Sequence, residues 1–319
     1  MSKLNELLQE LKPYLDEITS YDKKPDRLYQ PINYILSIGG KRIRPAMVLA
    51  AYKLYNQELS EEVLQLSQVV EMFHNFTLLH DDIMDKATLR RGKPVVHEKW
   101  DESTAILSGD LLQILVYEKL TKIGNWEVLN LFNRMAIELC EGQMKDMDFE
   151  SAEAVKNEDY LDMIRQKTAV LLGFCLQSGA LLGGATQTES EELYNLGIEI
   201  GLAFQLMDDY LDAFGEKAKV GKRIGGDILE KKKTYLWNSM WEKLPPASQQ
   251  AIIRSYDLDE EETIALVKQE MESSGAKNNT LALAESYSKK ALNWIESLSV
   301  DGDKAYLQEI INLLAARQS

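Results

Sequence analysis

The densest chemistry in the chain lies between Phe73 and Pro94, in the stretch FHNFTLLHDDIMDKATLRRGKP. Asp81, Asp82 and Asp85 stand at i, i+1 and i+4, so a helix carries Asp81 and Asp85 on one face about a turn apart. Phe73, Phe76, Leu78, Leu79, Ile83 and Met84 surround them, the pattern of a buried helix. Carboxylates in an apolar setting repel one another and resist desolvation, so they call for a counter-charge. No Lys or Arg between Glu71 and Asp85 supplies it. Mg²⁺ does: it takes one or two carboxylates and fills its other positions with water and phosphate oxygens. Arg90, Arg91 and Lys93 follow at once, and arginine forks suit phosphate. Carboxylates for a metal followed by cations for phosphate point to a diphosphate substrate.

A DDxxD by itself is most often a solvated acidic face. Here it recurs: Gly201–Asp212 reads GLAFQLMDDYLD, with Asp208, Asp209 and Asp212 at the same spacing in the same apolar setting. Two aspartate clusters on two helices can face each other across a bundle and hold metal between them. A diphosphate bridging them would have its C–O bond polarised and its leaving charge neutralised. The flanking Leu, Ile, Met and Phe suit a hydrocarbon tail, so the substrate reads as an isoprenoid diphosphate. Residues 39–45, GGKRIRP, add Lys41, Arg42 and Arg44 after two glycines. With His74, two helical turns before Asp81, and Arg91, this cluster leaves room for a second diphosphate that needs no metal. Two such substrates imply joining rather than hydrolysis. Residues 221–227 (GKRIGGD) with Lys231, Lys232, Lys233 and Thr234 read as a flap over phosphates.

The elements that must position these groups are helices. Leu4, Leu7, Leu8, Leu11 and Leu15 keep helical spacing. Further helices are expected over about 26–38, 45–57, 61–89, from Asp101 or Ser103 to about 123, and 126–149. Asn157 is expected to cap a long helix carrying Lys167 and Thr168, and Thr188 with Glu191 to form a capping box before the second motif. Helices near 247–254, 259–273, 277–297 and 302–317 complete the chain. Strand-like alternation is absent, so an all-α single domain spanning 1–319 is expected.

The 319 residues are 45% hydrophobic, enough for a large core. A net charge of −15 argues against a nucleic-acid or anionic-membrane partner. Cys140 and Cys175 sit in apolar helical patterns and read as small core residues. The N-terminal stretch carries acids and is unlike a signal peptide. The most apolar run, 169–185, is broken by glycines and is a poor membrane span. A soluble, cytoplasmic protein is expected.

The chain resembles the trans-isoprenyl diphosphate synthases of the polyprenyl synthetase family. LLHDDIMD followed by RRG resembles their first aspartate-rich motif, GLAFQLMDDYLD the second; GGKRIRP, GQxxD at 142–146 and the Lys167–Thr168 pair complete the set. The resemblance implies an all-α bundle around a deep central cavity, a homodimer, and head-to-tail condensation of isopentenyl diphosphate with dimethylallyl, geranyl or farnesyl diphosphate. It implies that Asp81, Asp85 and Asp208 hold three Mg²⁺ and the allylic diphosphate, with Asp82 and Asp212 as water-mediated partners. Arg90, Lys167, Lys222 and Lys232 would contact that diphosphate; Lys41, Arg44, His74 and Arg91 would bind isopentenyl diphosphate. Thr168, Gln205 and the Lys167 carbonyl would face the carbocation. The family's usual floor for the growing chain falls at Phe76, whereas helix geometry alone favours Phe73; both are large, so a C15–C20 product is expected. Lys231 stands where the family usually has Gly, and Arg223 where Pro is common.

Three rivals differ in what they need. A terpene cyclase has no use for GGKRIRP and Arg91. An HD-type phosphohydrolase, suggested by His80–Asp81, wants more histidines than His74, His80 and His97. A non-catalytic partner subunit would not keep both aspartate motifs.

Overall fold

The computed structural model describes residues 2–215, 224–257, 259–300 and 302–315. Apart from one small hairpin, the regular elements among them are helices, so the chain is all-α. The described residues group into two compact units: Met1–Asn133 with Phe174–Tyr194 and Ser299–Ile310, and Arg134–Gly173 with Asn195–Leu298 and Ile311–Ser319.

In the first unit α1 (Lys3–Glu17) buries Leu4, Leu7, Leu11 and Leu15, and the Ser2 hydroxyl accepts from Asn5 N–H at its start. Next come α2 (Asp26–Ser37), α3 (Ile43–Tyr52) and α4 (Glu61–Met84). Ser60 caps α4, and Glu61 and Glu62 complement the positive end of its dipole. A hairpin of β1 (Leu89–Arg90) and β2 (Lys93–Pro94) pairs Leu89 with Pro94 and Arg90 with Lys93. After the single turn α5 (Val96–Lys99), α6 (Glu102–Ile123), capped by Asp101, packs along α4. The core here centres on Phe73, Phe132 and Phe174, with ring centroids 4.9 Å and 5.7 Å apart in turn.

α4 stops at Met84, five residues before the end expected from the sequence. Asp85 is its C-cap and Lys86 follows in the left-handed region at φ +50°. Lys86 N–H donates to Ile83 O and Ala87 N–H to Asp82 O, which closes the helix in a Schellman motif without glycine. The first aspartate motif therefore occupies a helix C-terminus.

Two helices precede the one that carries the second aspartate cluster. α8 (Asn157–Ile164) leads into a π-helical turn over Arg165–Ala169 and then α9 (Val170–Gly183), so the expected long helix is interrupted at Lys167–Thr168. Its N-cap is Lys156 rather than Asn157. α10 (Gln187–Phe214) opens on a capping box made by Thr186 and Glu189, not Thr188 and Glu191. Both pairs fit the motif, but only Thr186 stands just outside the first turn. In the second unit, Tyr160, Met163, Ile164, Ala169, Leu202, Leu206 and Met207 form a common core. The helices Tyr235–Trp241, Glu260–Ser273 and Ala276–Ser297 pack together around Trp237, Met240, Val267 and Met271.

Cys175 is buried, and burial pushes its thiol up to about 12. Cys140 is not the core residue its neighbours suggest: it is exposed, on the outward face of α7 (Trp126–Ser151) with Ile137 and Met144. Among the described residues no helix is long and apolar enough to cross a membrane.

Candidate active site

In the first unit the cations gather around His74. β1 and β2 are joined by Arg91–Gly92, both at positive φ (+52° and +74°), the geometry of a tight hairpin turn. That turn aims Arg91 at the backbone of Gly40: a Cβ there would fall 2.6 Å from Arg91 Nη1. The absence of a side chain at Gly40 lets the guanidinium lie on it. Arg42, also left-handed, pairs with Glu71 and donates to Leu36 O, fixing the GGKRIRP loop to α2 and α4. Arg44 Nη1 lies 3.1 Å from His74 Nε2. Guanidinium can only donate, so this ring nitrogen accepts and the imidazole is neutral with its proton on Nδ1. Burial first, then the charges of Arg44, Arg91, Arg90 and Arg42, holds His74 well below the usual imidazole range. The neutral ring is surrounded by arginines, with exposed Lys41 beside them in sequence, which gathers positive charge at this place.

The three aspartates of the first motif are not equivalent. Asp82 is 1% exposed, and Arg90 grips it with Nε 3.0 Å from both carboxylate oxygens and Nη2 2.7 Å from Oδ1. Its charge is answered within the protein, and it positions Arg90. Asp81 is half-buried and Asp85 exposed, at the negative end of the α4 dipole. Two carboxylates beside the last carbonyls of a helix favour a cation. Phe73 is 1% exposed and locked against Phe132, whereas Phe76 is half-buried and rests edge-on against His80 at 4.8 Å. His80 itself lies on Gly109, where a Cβ would sit 2.4 Å from Nε2.

In the second unit a cavity of about 150 Å³ collects the other predicted residues: Lys167, Thr168, Gln205, Asp208 and Lys232 line it. The π turn that carries Lys167 and Thr168 is pinched by two glycines. A Cβ on Gly142 would fall 2.5 Å from Lys167 N, and one on Gly201 2.4 Å from Ala169 Cα. Gly142 opens GQxxD, and Asp146 of the same motif pairs with Lys167 Nζ. Thr168 Oγ1 donates to Gln205 Oε1 at 3.0 Å, and Gln205 Nε2 donates to Asp209 Oδ1 at 3.0 Å. Asp212 Oδ2 accepts from the Asp227 N–H at 3.0 Å. Lys222, with Arg223, lies outside the described residues.

Three groups to which the sequence reading gave no role of their own belong here. Asp227 lines the cavity, and burial followed by the Asp212 charge pushes its carboxyl up to about 7. Asp209, 4% exposed, is raised well above the carboxylate range by burial and then by Asp227. Tyr160 of α8 donates to Asp209 Oδ2. Asp227 follows two glycines in a visible motif and could have been found; Tyr160 carries no spacing signal. Among the described residues no three His, Cys, Asp or Glu side chains are grouped to hold a metal ion unaided. Mg²⁺ asks for less, and the hard oxygen donors of both motifs fit it.

A family model described as polyprenyl synthetase matches residues 25–273. This chain belongs to the polyprenyl synthetase family. A geranylgeranyl diphosphate synthase of Methanosarcina mazei is 37% identical over 300 residues, 92% of this chain and 91% of that protein. A short chain isoprenyl diphosphate synthase of Methanocaldococcus jannaschii is 43% identical over 237 residues, 73% of this chain and 70% of that protein. A solved geranylgeranyl pyrophosphate synthase matches with a TM-score of 0.91 and 41% identity, covering 100% of both chains. Lys231 departs from the pattern that the resemblance implies, and the backbone at this place suits glycine. It sits at φ +58°, with its N–H donating to Ile228 O and the Lys232 N–H donating to Asp227 O. This is the left-handed residue of a second Schellman closure, after the single turn Gly226–Leu229, a place that favours the family's glycine. Lys231 Nζ lies 4.3 Å from the Tyr256 ring centroid.

Proposed function

We propose that this prenyl diphosphate synthase joins isopentenyl diphosphate head-to-tail to an allylic diphosphate (dimethylallyl, geranyl or farnesyl), giving a C15–C20 trans-prenyl diphosphate and pyrophosphate. The observation that carries the reading is the arginine cluster around neutral His74. Its cations outnumber the carboxylates that pair with them, Glu71 on Arg42 and Asp82 on Arg90, as a second diphosphate substrate needs and a cyclase or a hydrolase does not. Lys41, Arg44, His74 and Arg91 bind isopentenyl diphosphate there.

Asp81, Asp85 and Asp208 supply carboxylates to Mg²⁺, three ions with the allylic diphosphate bound, and Asp212 orders the surrounding water. Bound Mg²⁺ supplies Lewis acidity that polarises the allylic C–O bond and neutralises the departing charge. Lys167, Lys222 and Lys232 bind the allylic diphosphate, and Arg90, held by Asp82, offers its remaining N–H groups to it. The C–O bond breaks with its electron pair leaving on pyrophosphate. Thr168 Oγ1, Gln205 Oε1 and the Lys167 carbonyl present oxygen dipoles to the allylic cation, preorganised before it forms. The isopentenyl double bond attacks, and the proton lost in forming the new double bond passes to pyrophosphate. Phe76, backed by Phe73, ends chain growth. The enzyme acts as a cytoplasmic homodimer; Leu107 and Ile114, 60% and 63% exposed on α6, offer an apolar stripe to a second copy.

The test is pyrophosphate release with dimethylallyl and isopentenyl diphosphate, together and singly, at fixed Mg²⁺. Release is expected only with both, alongside prenyl alcohols after dephosphorylation. Equal release from either substrate alone would overturn the condensation.

A further inference from the structure

Hydrogen bonds have direction, and with Asp209 ionised one chain of them in the second unit is determined. Tyr160, 4% exposed, donates its only hydroxyl proton to Asp209 Oδ2. The other oxygen of that carboxylate accepts from Gln205 Nε2 at 3.0 Å. The amide of Gln205 is thereby oriented, with its NH₂ toward Asp209 and its oxygen the other way. That oxygen accepts from Thr168 Oγ1 at 3.0 Å, so the one hydroxyl proton of Thr168 is engaged. What Thr168 presents to the cavity it lines is lone pairs alone.

We infer that Tyr160 is a positioning residue: through Asp209 and Gln205 it fixes the Thr168 hydroxyl with its oxygen, not its proton, toward the reacting carbon. The inference rests on the cationic reaction proposed above. Without the Tyr160 proton, Asp209 can turn toward another donor. The Gln205 amide is then free to reverse, its NH₂ facing Thr168. Thr168 would in that arrangement accept from Gln205 and point its own proton into the cavity, a repulsive end for a carbocation. No group in the relay need touch substrate except Thr168 and Gln205, so the effect of Tyr160 belongs to the reaction step rather than to binding.

Tyr160→Phe keeps the ring and removes the donor. The expected result is a kcat lower by about tenfold, as for a modest misplacement of a catalytic group, with KM for both substrates and the Mg²⁺ dependence within about twofold. A general loosening of the unit would raise KM instead. In a Thr168→Val background, where the hydroxyl is already gone, Tyr160→Phe should cost less than about twofold; independent, multiplying losses would overturn the relay. Thermal melts run alongside show that each variant is folded. Should Tyr160→Phe not fold, Asp209→Asn serves: it offers one acceptor to two donors, and must show the same kcat-selective loss with unchanged Mg²⁺ dependence. Wild-type kcat in the variant that folds refutes the inference. Failure of the wild-type enzyme to need both substrates would refute the condensation itself, which is a different result.

Discussion

At the residue scale, charge pairing divides the three aspartates of the first motif. Asp81, Asp82 and Asp85 look alike in a sequence, yet Arg90 holds Asp82 while the other two stand at the helix end. The two phenylalanines show the same limit. Helix-wheel angles favour Phe73 as the floor, but such angles say nothing of what lies opposite, and Phe132 takes up that ring. Phe76, half-buried against His80, is the one with surface left to meet a tail. Phe76→Ala alone is therefore expected to lengthen the product by at least one five-carbon unit, read by chromatography of the dephosphorylated products. Phe73→Ala should chiefly destabilise, by about 3–5 kcal/mol as for a large aromatic lost from a core, with a smaller change in length. Lengthening by Phe73→Ala but not by Phe76→Ala would reverse the assignment.

At the element scale, helices declared themselves through apolar spacing and caps, and the errors cluster at helix ends and interruptions. Two Schellman closures use lysine, Lys86 and Lys231, at the position where α9 has Gly184 and a reader looks for glycine. Replacing Lys231 tests what holds it there. Lys231→Ala keeps the left-handed strain and loses the Tyr256 contact, whereas Lys231→Gly loses the contact and the strain together. The glycine variant should be the more stable by about 1 kcal/mol, the reverse of their order in a helix; denaturant titration of the two decides. The π turn at Arg165–Ala169 leaves no composition signal at all, since it arises from α7 and α10 pressing close. Gly142 and Gly201 are its only trace. Gly201→Ala must move the turn or the helix, so kcat is expected to fall by about two orders of magnitude, the cost of misplacing catalytic groups by about 1 Å. Near-normal turnover in Gly201→Ala would show that the position of Lys167 and Thr168 is not set by this contact.

At the scale of the whole molecule, composition told of an acidic chain, net charge −15, whose anionic substrates must be met by local cations. It did not tell that the acids of the second unit crowd each other. Asp227 titrates near 7 in the metal-free fold, above its ordinary value of 3.8. Below about pH 4 it is protonated folded or unfolded, and above about pH 7 ionised in both. Between these values the folded protein holds a proton that the unfolded chain has released, so this group's contribution to stability falls as pH rises across that window. Asp209 is raised for the same reason, burial, and acts in the same direction. His74 runs the other way: its folded value lies well below 6.5, so its neutral form costs stability only as pH falls through that value, and it is silent at pH 8. Asp227→Asn isolates the first effect. In chelator, the variant should melt above wild type by a margin that widens by several degrees from pH 5 to pH 8, since one pKa unit is worth about 1.4 kcal/mol and about 2–4 °C per kcal/mol is typical of units this size. Mg²⁺ with pyrophosphate binds the folded state and should raise the wild-type midpoint more at pH 8 than at pH 5, because the carboxylates it needs are then already charged. A wild-type-to-variant gap that is the same at both pH values would mean that the Asp227 charge is tolerated without metal, and that the crowding of acids in this unit has no part in calling the cation to it.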